Sequence, residues 1–132
     1  MPYLYAYLAT TIFYLIVDYL WLGVISKDFY RNQLGDLMLD DVKIHIAALF
    51  YILYTIGLVL FAVKLALAAD NYLIALGYGA FLGFLAYGTY DVTNIATLKD
   101  WPVLMSVVDV AWGTALSGIS ATIGYFIARQ FV

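Results

Sequence analysis

Three aspartates, Asp18, Asp91 and Asp109, lie in stretches of the chain that are otherwise apolar. The segment Tyr87-Gly88-Thr89-Tyr90-Asp91-Val92-Thr93-Asn94 sets a carboxylate and an amide one helical turn apart, with Tyr87 and Tyr90 just before them. The other two acids are each followed by an indole at the same offset, as Asp18-x-x-Trp21 and Asp109-x-x-Trp112. Residues three apart share a helix face. Carboxylates among aromatic rings can hold a cation by charge and by cation–π attraction, carry a proton, or serve as a general acid and base. The same groups can also simply tie helices together by hydrogen bonds.

The elements that must position these residues are set by composition. Of 132 residues, 66% are hydrophobic and 11% charged, against about 45–50% and about 25% in an ordinary soluble domain. About 20 helical residues cross a hydrocarbon layer of about 30 Å. Four runs are long enough, approximately 3–25, 44–67, 72–98 and 103–128. They leave too little chain for a soluble domain. The first run lacks a positive leader and is too long for the apolar core of a signal peptide. Each acid thus falls inside a span, where an ionised carboxylate is costly and marks a functional site by default.

The connections are short. Tyr3, Tyr5 and Tyr7 suit the membrane boundary. Residues 26–43 mix Phe29, Tyr30, Leu34, Leu37 and Met38 with Lys27, Asp28, Arg31 and Asp36, which predicts a short interfacial helix broken near Gly35. Asp40 or Asp41 is expected to cap the second span, Asp70 the third and Asp100 the fourth, with Pro102 in the fourth span's first turn. The turn at residues 69–71 is short enough to make spans two and three antiparallel neighbours. Gly79-Ala80-Phe81-Leu82-Gly83 is a G-x-x-x-G pattern that removes bulk from one helix face. Gly113, Ser117 and Ala121 form a row in the fourth span suited to receive it.

The termini share one side, here called side A. Side B holds Lys27, Arg31, Lys43 and Lys99, and side A holds Lys64 and Arg129. Lysine and arginine favour the cytoplasm, so side B is expected to be cytoplasmic. Asp18 lies nine residues before Lys27, Asp91 eight before Lys99, and Asp109 nine after Asp100. At about 1.5 Å per residue, each is roughly 12–14 Å inward from side B. The three acids therefore share one layer. By the same counting, Trp21 lies one turn toward side B of that layer and Trp112 one turn toward side A. No lysine or arginine lies at this depth, so at least one acid is expected to carry a proton at neutral pH.

Other chemistry is not indicated. The chain has no cysteine, which excludes disulfides and thiolate sites. No basic patch points to nucleic acid. The single histidine, His45, sits at a span end away from the acids, so no metal site is expected, and no phosphate loop or nucleophile elbow appears. No cofactor is implied.

Val17-Asp18-Tyr19-Leu20-Trp21-Leu22-Gly23, Phe50-Tyr51, the G-x-x-x-G segment, the Tyr87–Asn94 segment and Asp109-Val110-Ala111-Trp112-Gly113 together resemble a bacterial family of small predicted membrane proteins of unknown function. The resemblance implies four spans and a multi-pass protein of the bacterial inner membrane. It implies no activity.

The expected fold is an all-α integral membrane four-helix bundle, one domain over residues 1–132, with a short interfacial helix between spans 1 and 2. The leading functional expectation is binding, and movement, of a lipophilic or cationic small molecule, in contact with membrane lipid. Asp18, Asp91 and Asp109 would anchor it or carry protons, Asn94, Tyr87 and Tyr90 would orient them, and Trp21 and Trp112 would form stacking walls. The rival expectations are a membrane-embedded enzyme acting on a lipid or isoprenoid, for which no catalytic set is identified, and a structural or assembly subunit. Four short helices enclose little space, so a homodimer is also expected.

Overall fold

The structure, a computed structural model, describes residues 1–39 and 43–132. The expected cap at Asp40 or Asp41 lies outside these residues. The described residues form α1 (Pro2–Leu20), α2 (Lys27–Leu34), α3 (Ile44–Leu58), α4 (Lys64–Ala69), α5 (Tyr72–Thr97) and α6 (Val103–Arg129). A π turn over Trp21–Ile25 extends α1, and a second over Val59–Val63 joins α3 to α4 without a break in the rod. Four helical rods long and apolar enough to cross a membrane result: Pro2–Ile25, Ile44–Ala69, Tyr72–Thr97 and Val103–Arg129. Large apolar side chains such as Ile12, Ile16, Leu49, Phe50, Leu53 and Phe81 are exposed around the outside, as a lipid-facing surface requires. The protein is an all-α bundle of membrane helices.

Local chemistry decides where the rods begin and end. Pro2 stands in the first turn of α1, where its missing N–H costs no bond. The first π turn is closed by Ser26, whose N–H and hydroxyl both donate to the Trp21 carbonyl, at 2.8 and 2.7 Å. Ser26 itself leaves helical backbone (φ −111°, ψ 12°), so α2 sets off on a new axis. At the far end of α2, Gly35 adopts φ 55° and ψ −126°, a region open essentially to glycine alone. A Cβ at Gly35 would meet no neighbour, so backbone strain is its whole cost. Gly35→Ala is expected to destabilise this corner by about 1–3 kcal/mol. Amide exchange in α2 should quicken while α5 and α6 are unchanged; unaltered exchange across Lys27–Leu34 would refute this.

Two expected caps fall elsewhere. Asp70 takes left-handed backbone (φ 51°) and closes α4, while Asn71 caps α5 by accepting from the Leu73 N–H at 3.0 Å. The short amide can fold back on N2, and Asp70 is thereby left to accept the Tyr125 hydroxyl at 3.2 Å and pair with Arg129 at 3.4 Å. Asp100 also adopts positive φ (58°) and makes the turn itself, so Pro102 moves into the cap position of α6, which has no side-chain cap.

Helix α6 is the axis of the bundle. It packs along α5 over the longest contact and along α1 over the next. The α5–α6 seam is the G-x-x-x-G face: Gly79 lies over Ser117, Gly118 and Ala121, and Gly83 over the Gly113 carbonyl and Ser117. That face serves the inside of the chain.

The two halves of the bundle are filled differently. On side A the core is Ala6, Ala62, Ala66, Ala75, Ala121 and Ala128 with Val59, Val63 and Tyr125. Small side chains let backbones close up. Toward side B the core is Tyr14, Leu58 and Leu116, with Phe13, Tyr51, Tyr54, Tyr87 and Trp112 packed against them. Rings hold helices apart. The Val59–Ala69 half of the second rod accordingly packs on α5, whereas α3 rests on α1. Spans two and three are antiparallel neighbours on side A and diverge toward side B.

Candidate functional site

The divergence opens a cleft of about 740 Å³ among α1, α2, α3, α5 and α6. Tyr14, Tyr51, Tyr54, Tyr87 and Tyr90 line it, with Asp18 and Asp109 in its wall and Lys27 and Arg31 along its side-B part. The cleft lies between α3 and α5, where Phe50 and Tyr90 are exposed on the outside of the bundle. It is lined by Ile44, Ala47, Ala48 and Phe50 on the α3 side and by Ala86 on the α5 side.

The aromatic wall is tied together by hydroxyls. Tyr14 and Tyr87 share a hydrogen bond, Tyr54 bonds Ser117 at 2.8 Å, and Tyr14 meets Tyr51 and Tyr54 edge-on at 5.4 and 5.6 Å. Just below, the Thr11 and Thr55 hydroxyls pair at 2.8 Å. Each bond links two different helices.

The acids occupy successive positions behind and within this wall. Asp91 is fully buried. Its Oδ1 accepts from the Ser106 hydroxyl at 3.3 Å, and that hydroxyl accepts from Trp101 Nε1 at 2.7 Å. Its carboxyl lies within hydrogen-bonding reach of that of Asp109. Among the described residues, no N–H or hydroxyl donates to Asp91 Oδ2. Asp109 Oδ1 accepts from the Tyr30 hydroxyl at 3.0 Å, and Tyr30 accepts from Trp21 Nε1 at 3.2 Å. Burial, and then the charge of Asp109, push the Tyr30 hydroxyl well above the usual phenol range, so Tyr30 keeps the proton it donates. Asp18, almost fully buried, accepts from Trp112 Nε1 at 3.0 Å and is close enough to Asp109 to feel its charge.

The expected common depth is therefore refined. Asp91 and Asp109 meet directly, while Asp18 is level with Trp112, about one turn (roughly 4.5 Å) toward side A. Trp21 takes a place the counting did not give. Trp21 and Trp112 stack face to face, centroids 4.3 Å apart and planes at 10°: Trp112 keeps its counted depth, and Trp21 lies about a turn nearer side A than counted. The one-turn offset of α1 against α6 brings the two Asp-x-x-Trp faces into reciprocal register, each indole opposite the other helix's acid. Neither indole lines the cleft; each covers the other, and the tyrosines form the wall instead.

Of the residues expected to orient the acids, Tyr87 binds Tyr14. Tyr90 is exposed on the cleft and meets Trp101 edge-on at 6.0 Å, and Asn94 is half-buried beside Tyr90. The donors that reach the carboxylates are Ser106, Tyr30 and Trp112. Tyr30 belongs to the short helix that the sequence places at the membrane boundary. The signal for Tyr30 is faint: it is the one phenol on a short amphipathic helix, joined to the first acid-bearing span by a serine break. Among the described residues, no three His, Cys, Asp or Glu side chains converge as a metal-ligand set.

No curated protein and no solved structure shows a significant match to the chain. The sequence model of one family matches residues 3–126, nearly the whole of the described bundle. The chain belongs to the family described as predicted membrane protein, DUF2177, a family of unknown function.

Proposed function

We propose that this protein binds, from within the bilayer, a small lipophilic molecule with a positively charged end. The observation that carries this reading is the cleft: about 740 Å³ of space at the depth of buried acids, lined by seven tyrosines, with the outward-exposed Phe50 and Tyr90 at its edge. A drug-sized ligand needs a pocket of about 300–1,000 Å³ with few polar groups among apolar walls. Phenol rings attract cations over their faces, and Asp109 and Asp18 supply opposite charge. Access from the lipid side spares such a ligand the passage past Lys27 and Arg31. Those residues with Lys43 and Lys99, against Lys64 and Arg129, favour side B as the cytoplasmic side, with both termini outside.

The test is binding of tetraphenylphosphonium, a lipophilic cation, to the protein in lipid nanodiscs, with empty nanodiscs as blank. Asp109→Asn is expected to weaken it about tenfold or more, equivalent to about 1.4 kcal/mol. Equal binding by wild type and Asp109→Asn would remove this reading. A purely structural role for the acids draws support from their hydrogen bonds, since each accepts from a side chain at 3.0–3.3 Å. It does not explain Asp91 Oδ2, which no donor satisfies among the described residues.

A further inference from the structure

The fully buried Asp91 ends in one carboxyl oxygen that accepts from Ser106 and a second that meets no N–H or hydroxyl among the described residues. The group within reach of Asp91 is the carboxyl of Asp109. Two carboxylates in contact repel, and the arrangement is stable when one proton lies between them. Asp109 also belongs to the cleft wall, so whatever occupies the cleft bears on that proton.

Resting on the cation-binding reading of the cleft, we infer that the Asp91–Asp109 pair is an exchange site in which an incoming organic cation replaces the shared proton. The steps balance. In the empty site, two carboxyl groups and one proton carry one net negative charge. On binding, the O–H bond of the pair breaks and the proton passes to water at the side-B mouth of the cleft. The cation then lies against Asp109 in the cleft wall, with the buried Asp91 carboxylate behind it, and the net charge of the pair with its occupant is unchanged. Burial penalises any state in which charge is uncompensated, so proton and cation exclude one another.

The surroundings keep this competition local to the pair. Asp109 is faced from α1 by Asp18, from α2 by Tyr30, from α3 by Tyr51 and from α5 by Asp91, Tyr87 and Tyr90. Asp18 is held by Trp112, and Tyr30 remains a neutral donor. Lys27 and Arg31 lie on the same cleft but toward its outer part. They make the mouth unfavourable for a cation arriving from water.

Two measurements test the inference. Infrared difference spectra of the empty wild-type protein at neutral pH should contain the C=O stretch of a protonated carboxyl, and Asp91→Asn should lose it. Calorimetry of tetraphenylphosphonium binding in buffers of different ionisation enthalpy should show about one proton released per cation bound, with tighter binding as pH rises and a flat pH profile in Asp91→Asn. Binding without proton release overturns the exchange and leaves the cation site standing. A spectrum without the protonated-carboxyl band overturns the shared proton. Absence of binding at every pH overturns the cation reading and the exchange together.

Discussion

Gly83→Val is expected to destabilise the bundle by about 3 kcal/mol, which should appear as an earlier unfolding transition in denaturant titrations of the micellar protein. A Cβ at Gly83 runs into the Gly113 carbonyl and the Ser117 side chain. A carbonyl inside α6 cannot move without parting the two helices, so the added methyls push along the whole α5–α6 seam. Gly88 provides the internal control. It lies on the same helix, and a Cβ there meets nothing within 4 Å. Gly88→Ala should therefore be neutral or up to about 1 kcal/mol stabilising, since glycine weakens a helix interior by about that amount relative to alanine. If both variants unfold together with wild type, the close α5–α6 approach is not what holds the bundle.

Trp112→Ala is expected to cost about 3 kcal/mol or more, because it removes three things at once. It deletes an indole stacked on Trp21, opens a void between α1 and α6, and leaves Asp18 almost fully buried without its donor. Trp112→Phe separates these effects. The ring and most of the stack survive, the N–H is lost, and the expected cost is about 1–3 kcal/mol for an unsatisfied buried acceptor. Asp18→Asn should then restore part of that loss, because a neutral amide is cheaper to leave unpaired than a carboxylate. In the wild-type background the same substitution should gain nothing, as Trp112 would lose a charged acceptor. Sites that do not communicate add to within about 0.3–0.5 kcal/mol. A coupling no larger than that between Asp18→Asn and Trp112→Phe would show that the 3.0 Å hydrogen bond contributes little.

Much of this architecture can be read from the chain alone, for definite reasons. Spans follow from runs of apolar side chains, because a bilayer tolerates little else. The tight α5–α6 seam follows from Gly79 and Gly83 facing Gly113, Ser117 and Ala121, since rows of small residues on two helices have few other uses. Counting from charged ends put Asp91 and Asp109 level, because the helix rise is constant through α5 and α6. The same counting set Asp18 and Trp21 about one turn too far toward side B, since boundary residues locate a span only to within about a turn. The sliding of α1 along α6 is fixed by side-chain bonds between residues 94 positions apart. Tyr30 was not legible because its role depends on where Ser26 turns the chain, which periodicity does not encode. Helix ends were the least legible part: Asn71 rather than Asp70 caps α5, and the two aspartates at the turns adopt left-handed backbone instead.

The contrast between an alanine-filled half and a ring-propped half has a mechanical consequence. A clothes-peg opens at one end only, and here the sprung end is α3, with the wider coil at Val59–Val63 placed where a pivot belongs. Swinging α3 outward would enlarge the side-B mouth while the jaw formed by Ala6, Ala62, Ala66 and Ala128 stays shut. A single chain thus forms a blind vestibule on one leaflet. A membrane-embedded photolabel should mark Tyr51 and Tyr54 from that leaflet and spare Ala62 and Ala66 from the other.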